Sequence, residues 1–476
     1  MNVTGKADGK EAPMRPFGLK DKFGYMMGDL ANDFFFIFAS SFLMVFYTNV
    51  LGISPGVVGT LFVTARVIDA FTDVGMGRLV DTLPPAKDGR FKPWLRRMCI
   101  PVSIAGLLLF VPWVARLPMA FRIIYIFITY IFWGSICYTG INIPYGSMAS
   151  AITSEPVERG QLSTYRSVGA ALASVVINVG VPLFVYTYDA SGNQIIIPER
   201  FFTIACIFAA LAIISYAVCY KLSIERIVLK PQKTKGGSTR RTIDTMLHNK
   251  SLISIIAAAI VLVLSMLLTQ SMNTYLFMDY FKNKTAMSAS GFLNTAATLI
   301  IAPFSKQIVK KIGKKEASSI AVLFASAMYF IMFAVRFTNP WLFCIFVGLG
   351  NIGTGVFNLM IWAFITDIID YQEIHSGYRD DGTIYAVYSF SRKIGQALAG
   401  GLGAWVLEII GYQTSTGGEA VVQSESVVNN IYSVATLAPA LCYLAVGLIL
   451  LLAYPLTKKI VEENSLILKK KHENKI

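Results

Sequence analysis

The sequence predicts an all-α membrane protein of twelve transmembrane helices in two six-helix bundles. Three observations predict it. Of 476 residues, 55% are hydrophobic and 15% are charged, where soluble domains average about 25% charged. Apolar runs of spanning length recur along the chain, six before a basic polar stretch and six after it. Lys and Arg collect in alternate connections between those runs, the asymmetry that orients helices in a bilayer.

The first six runs are Tyr25–Val50, Gly56–Val80, Met98–Ala115, Ile123–Ala149, Thr164–Tyr186 and Phe201–Tyr220. The second six are Ser251–Tyr275, Ser288–Lys306, Ala317–Phe337, Trp341–Ile369, Ile384–Ile410 and Ile431–Tyr454. At 1.5 Å per residue each is about long enough to cross a ~30 Å hydrocarbon core. The expected organisation is therefore an N-terminal segment (1–24), a first bundle (25–220), a linker (221–250), a second bundle (251–454) and a tail (455–476). Basic residues mark the N-terminus, the 87–97 connection, the linker, the 306–315 connection and the tail, whereas Tyr186–Pro198 and Gly411–Asn430 are poor in them. Both termini and the linker are thus expected on the cytoplasmic side of a cell membrane. An internal echo supports two related halves: Gly89-Arg90-Phe91-Lys92 follows the second run and Gly313-Lys314-Lys315 follows the eighth. Two six-helix halves as parallel repeats is the layout of the major facilitator superfamily.

Several function classes fall away. The net charge of +14 resides in topogenic connections, so no nucleic-acid partner is expected. The six cysteines lie in or beside apolar runs without a CxxC spacing, and the three histidines (His248, His375, His472) are scattered. Neither a disulfide framework nor a metal cluster follows from such spacing, and no cofactor is expected. The first twenty residues lack an apolar core with a small-residue cleavage site, so no removed leader is expected. There is no HExxH and no nucleophile–base arrangement to suggest an enzyme, and no pore ring or filter to suggest a channel.

Charges inside the runs carry the functional reading. Asp69 and Asp73 are four apart in the second run and share a helix face. An acid at bilayer depth costs about 2.5–3.5 kcal/mol on insertion scales, so it marks an ion pathway or substrate site by default. The alternative is a structural pair with Arg66 or Arg78. Asp33 lies eleven residues beyond Lys22, ~16 Å into the bilayer, and Asp29 one turn nearer the surface. In the eleventh run Lys393 is ~14 Å deep by the same rise, and its neighbour Arg392 points about 100° away. The fourth run ends in Tyr138-Thr139, Asn142 and Pro144, which offer hydroxyl, amide and aromatic surface to a polyol; Pro144 also frees a backbone carbonyl. Arg166 opens the fifth run, within reach of either headgroups or a substrate oxygen.

Over nearly its whole length the chain resembles the glycoside–pentoside–hexuronide:cation symporter family. The resemblance is carried by Tyr47–Trp94 (YTNVLGISPGVVGTLFVTARVIDAFTDVGMGRLVDT…GRFKPW), NIPYGSM (Asn142–Met148), TDIIDYQE (Thr366–Glu373) and YSFSRKIGQALAG (Tyr388–Gly400). It implies a cation site for sodium or a proton at Asp69 and Asp73, with Thr139 and Thr72 beside them. It implies substrate contacts from Asp33, Tyr138, Asn142, Arg166, Ser389 and Lys393. Two departures bear on specificity. Thr72 stands where a sodium-using sugar permease of the family carries an asparagine, which weakens the case for sodium; a proton needs only a carboxylate. Asn142 and Gly146 stand where that permease carries an aspartate and a tryptophan, so a galactoside preference does not carry over. Arg166 and Arg392 suit a hexuronate, but Asp33 favours a neutral glycoside or pentoside. The expectation is a cation-coupled sugar importer working by alternating access, with a cation-coupled lysophospholipid transporter as the alternative. The linker and tail are candidates for contact with a cytoplasmic regulator or anionic lipid.

Overall fold

The computed structural model describes residues 15–190, 193–227, 249–376, 381–419 and 421–473. Their helices are α1 (Leu19–Asn49), α2 (Pro55–Thr82), α3 (Lys92–Leu108), α4 (Met119–Ile152), α5 (Pro156–Val185), α6 (Pro198–Leu222), α7 (Lys250–Tyr280), α8 (Lys284–Ile312), α9 (Lys314–Val335), α10 (Pro340–Ser376), α11 (Asp381–Ile409), α12 (Glu425–Ala453) and the tail helix α13 (Lys458–Glu473). Among the described residues, nine of them are long and apolar enough to cross a membrane; α2, α8 and α11 are not in that set. For α2 the reason is in its sequence, which carries Arg66, Asp69, Asp73, Arg78 and Asp81. The residues that lower its hydropathy are the same ones that suggest a site.

Local chemistry sets the ends. Pro occupies the first turn of α2, α3, α5 and α6, where its missing N–H is not needed. Asn249 caps α7 through the amides of Ser251 and Leu252, and Ser424 caps α12 through Val427. Four helices contain a π-turn: α1 at Ala39–Leu43, α4 at Phe132–Tyr138, α7 at Leu276–Tyr280 and α12 at Ile449–Ala453. Such turns concentrate at functional positions because they shift which side chains face a neighbour.

The chain divides into two compact units, one of Met1–Thr234 with Thr414–Val421, the other of Lys235–Gln413 with Val422–Ile476. In the first unit α1 packs on α5 and α6, α3 on α6, and α4 on α2 and α3. Its centre is aromatic: Phe38 stacks on Phe110 at 4.0 Å and meets Phe208 edge-on at 5.3 Å. The segment between α11 and α12 adds a strap to this unit. Gly417 and Gly418 donate their amides to the carbonyls of Val50 and Asn49 at 2.9 Å, and the Gly418 carbonyl accepts from Ile196 at 3.3 Å. In the second unit α9 packs on α10 and α12, α7 on α11 and α12, and α8 on α10.

The echo seen in sequence has a structural counterpart in each unit. Gly89 before α3 and Gly313 before α9 both adopt left-handed backbone, at φ +123° and +106°, conformations that glycine takes without a Cβ penalty. After Gly89, the Glu225 carboxylate accepts the amides of Arg90, Phe91 and Lys92 at 2.7, 2.9 and 2.7 Å. It thereby satisfies free N–H groups at the start of α3. Beside it, Asp88 accepts from the Tyr220 hydroxyl at 2.7 Å and pairs with Arg96 at 3.3 Å. Partial burial pushes that carboxyl up, but Tyr220 and Arg96 outweigh it and hold the group below its ordinary range. In the second unit Lys314, directly after Gly313, pairs with Asp367 at 2.6 Å.

Candidate functional site

The site is built where α2 faces α4. Asp69 and Asp73 stand one turn apart on α2; Ser135 and Thr139 stand four apart on α4. The Ser135 hydroxyl donates to Asp69 Oδ1, and the Thr139 hydroxyl donates to Asp73 Oδ1 at 2.8 Å. Two rungs thus join the helices. The π-turn of α4 contains Ser135 and ends just before Thr139, whose hydroxyl also reaches the carbonyl of Gly134, five residues back, at 3.3 Å, the spacing a π-turn supplies. The other Asp69 oxygen, Oδ2, is held by Arg66 Nη1 at 3.2 Å. Of the two bases that sequence offered as counter-ions, Arg66 is the one that pairs. Asp69 retains 18% side-chain exposure, so its carboxylate is neither dry nor open. Two carboxylates and two hydroxyls within one helix pair are the oxygen ligands that a hard monovalent cation takes, and the carboxylates alone serve for a proton.

Thr72, expected beside the acids, donates instead to the carbonyls of Ile68 and Asp69 in its own helix, at 3.3 and 3.2 Å. Arg166 donates from Nε to Asp29 Oδ1 at 2.7 Å, over the Tyr145 ring at 5.5 Å. Tyr145 in turn stacks on Tyr25 at 4.7 Å and donates to its carbonyl at 2.7 Å. Asp33, one turn along α1 from Asp29, is half-buried and makes no hydrogen bond or ion pair among the described residues. Asn142 accepts from Asn32 at 3.5 Å, and Asn32 accepts from Tyr216 at 2.7 Å. Tyr138 stacks on Phe36 at 5.6 Å, leaving its ring beside the α1 acids' helix. The side chains of Ser389 and Lys393, both on α11, lie outside what is described.

Sequence reasoning missed Ser135, Asn32 and Tyr216. The spacing held a signal for Ser135: residues 135 and 139 repeat the four-residue interval of 69 and 73, rung for rung. Among the described residues no group of three His, Cys, Asp or Glu side chains is placed to hold a metal ion.

Comparison with known proteins identifies the family. The family model described as MFS/sugar transport protein matches residues 24–458. The chain is 30% identical over 446 residues to the glucuronide carrier protein homolog of Escherichia coli (strain K12), covering 92% of this chain and 93% of that protein. It is 28% identical over 396 residues to the isoprimeverose transporter of Lactiplantibacillus pentosus, covering 82% and 80%. The crystal structure of a D-xylose-proton symporter superposes with a TM-score of 0.63 at 10% identity, over 92% of this chain and 97% of that one; at such identity the likeness shows the fold alone. The chain has the major facilitator fold and belongs to the MFS/sugar transport protein family, as one of its glycoside–pentoside–hexuronide:cation symporters.

Proposed function

We propose that the protein imports a neutral glycoside or pentoside together with one cation, by alternating access of its two bundles. The observation that carries the cation role is the pair of rungs, Asp69 with Ser135 and Asp73 with Thr139. Arg66 pairs with one acid and the Thr139 hydroxyl donates to the other. A cation entering between the two acids is bound by both carboxylates. That favours the arrangement able to hold sugar, with a coupling of about 1–3 kcal/mol typical of linked sites.

The substrate charge follows from α1 and α5. Arg166 is engaged by Asp29 at 2.7 Å, so a substrate anion has to compete with that carboxylate for the guanidinium. Asp33 accepts nothing among the described residues and is a ready acceptor for sugar hydroxyls. An anionic sugar meets a surplus acid there; a neutral one meets a hydrogen-bond acceptor. Tyr138 supplies an aromatic face, and Lys393 and Ser389 of α11 are assigned to the substrate side on the family resemblance.

The test is uptake into proteoliposomes under an imposed proton or sodium gradient, over a panel of radiolabelled pentosides, glucosides and glucuronides. Asp69→Asn and Asp73→Asn are expected to abolish accumulation against a gradient while folded protein persists. Accumulation that survives both changes rules out the cation role. Glucuronide uptake exceeding that of every neutral glycoside rules out the substrate assignment and leaves the cation role standing.

A further inference from the structure

The tail helix α13 has two faces that do different things. Val461, Asn464 and Leu468 form one stripe, with Asn464 and Leu468 buried against the body of the second unit, where α13 meets α9 and α10. Leu466 and Ile467 point the other way, 58% and 49% exposed. These two adjacent apolar side chains give the outer face of an otherwise polar helix an apolar spot.

Charge and tethering say what covers them. Four residues, 454–457, separate the end of α12 from the start of α13, a reach of at most ~14 Å. Because α12 crosses the bilayer, the start of α13 is held within that reach of the membrane face. The α8–α9 turn brings Lys311, Lys314 and Lys315 beside its start, α13 itself opens with Lys458-Lys459, and three consecutive lysines, 469–471, follow Leu466-Ile467-Leu468. Asp367 pairs with Lys314 at 2.6 Å, whereas the Lys315 ammonium donates to the carbonyl of Tyr454 at 2.6 Å. Between that turn and α13 is a cavity of 210 Å³ lined by Lys314, Lys315, Leu456, Lys458 and Glu462 among others. That is several times the ~30 Å³ share of one water and leaves room for a phosphodiester.

We propose that α13 is an interfacial helix that docks on anionic phospholipid, inserting Leu466 and Ile467 among the acyl chains while the surrounding lysines hold phosphate headgroups. An amphipathic helix with a basic margin binds a membrane surface by this combination of apolar insertion and anionic attraction. The acids on its outer face, Glu462 and Glu463, fall in its first half, and Lys459 lies 4.0 Å from Glu463; the apolar pair and lysine run occupy the second half.

The test uses the full-length protein in nanodiscs of phosphatidylcholine alone or mixed with phosphatidylglycerol, with hydrogen exchange of the 458–473 amides as readout. Exchange is expected to slow on the order of tenfold in the phosphatidylglycerol discs, a difference that high salt removes. Replacing Lys469, Lys470 and Lys471 by Gln is expected to abolish the difference, and Leu466→Ser with Ile467→Ser to reduce it, while sugar binding stays unchanged and reports an intact fold. Equal exchange in both lipids overturns the proposal. So does equal protection from inorganic phosphate in phosphatidylcholine discs, which assigns the basic turn to a free anion instead.

Discussion

At Asp69 one carboxylate oxygen belongs to a guanidinium and the other to a hydroxyl, and under the proposed cation role this division governs what an incoming cation must displace. A hydroxyl that donates to the acid can rotate to offer its lone pair to a metal cation; it has no comparable role toward a proton. Ser135→Ala therefore separates the two coupling ions. With sodium as the coupling ion, losing one oxygen ligand raises the half-saturating concentration about tenfold, the equivalent of ~1.4 kcal/mol; with the proton, the change stays within about twofold. The measurement is the cation dependence of initial uptake rate. With sodium as the coupling ion, Thr139→Ser is expected to keep function and Thr139→Ala to lose most of it, because the hydroxyl and not the methyl makes the 2.8 Å bond to Asp73. The acids were legible from sequence because a carboxylate in an apolar run stands out. Ser135 was not, since a small polar residue in a spanning helix reads equally as helix–helix glue, and the π-turn that aims it leaves no mark in composition. Arg166 was legible as a charge but not as a pair: Asp29 lies 137 residues away, and only packing of α1 on α5 brings them together.

Helix ends depend on more than hydropathy. The apolar run behind α10 stops at Ile369, yet the helix continues to Ser376, because backbone hydrogen bonding does not end where the bilayer does. The strap between α11 and α12 was read as a basic-poor loop of the second bundle. Its residues instead pair backbone to backbone with the end of α1, an outcome with no side-chain signature beyond two glycines. Gly418 needs φ +79°, and a Cβ there would fall 2.4 Å from the Ile196 carbonyl. Gly418→Ala is therefore expected to undock the strap, seen as faster hydrogen exchange across 414–421. Unchanged exchange in that variant means the strap is held by other contacts. The Glu225 anchor behaves in the same way at the other end of the unit. Glu225→Ala strips acceptors from three amides at the start of α3 and is expected to cost about 2–4 kcal/mol, since hydrogen bonds to a charged group contribute ~1.5–3 kcal/mol each and are not additive. Thermal unfolding in detergent reads the loss, and Glu225→Gln, which keeps one acceptor oxygen, is expected to lose less.

For the whole molecule the relevant quantity is charge moved per cycle. If one cation enters with each neutral sugar, the complex carries one net positive charge inward. A membrane potential of 100 mV then supplies ~2.3 kcal/mol, and at ~1.4 kcal/mol per tenfold that is about forty- to fifty-fold accumulation before any chemical gradient contributes. The same arithmetic applied to a hexuronate and one cation gives no net charge and no dependence on potential. Substrate charge and driving force are therefore coupled observables. The commitment of Arg166 to Asp29 at 2.7 Å, which argues for a neutral sugar, also implies that uptake is electrogenic. A potassium diffusion potential imposed with valinomycin, at equal pH and sodium on both sides, is expected to drive accumulation on its own and to fall about tenfold for each ~60 mV removed. Asp73→Asn should abolish that dependence while leaving sugar exchange at zero potential measurable. Accumulation indifferent to potential would mean that the cation charge is cancelled by the substrate, and the assignment of a neutral glycoside would fall with it.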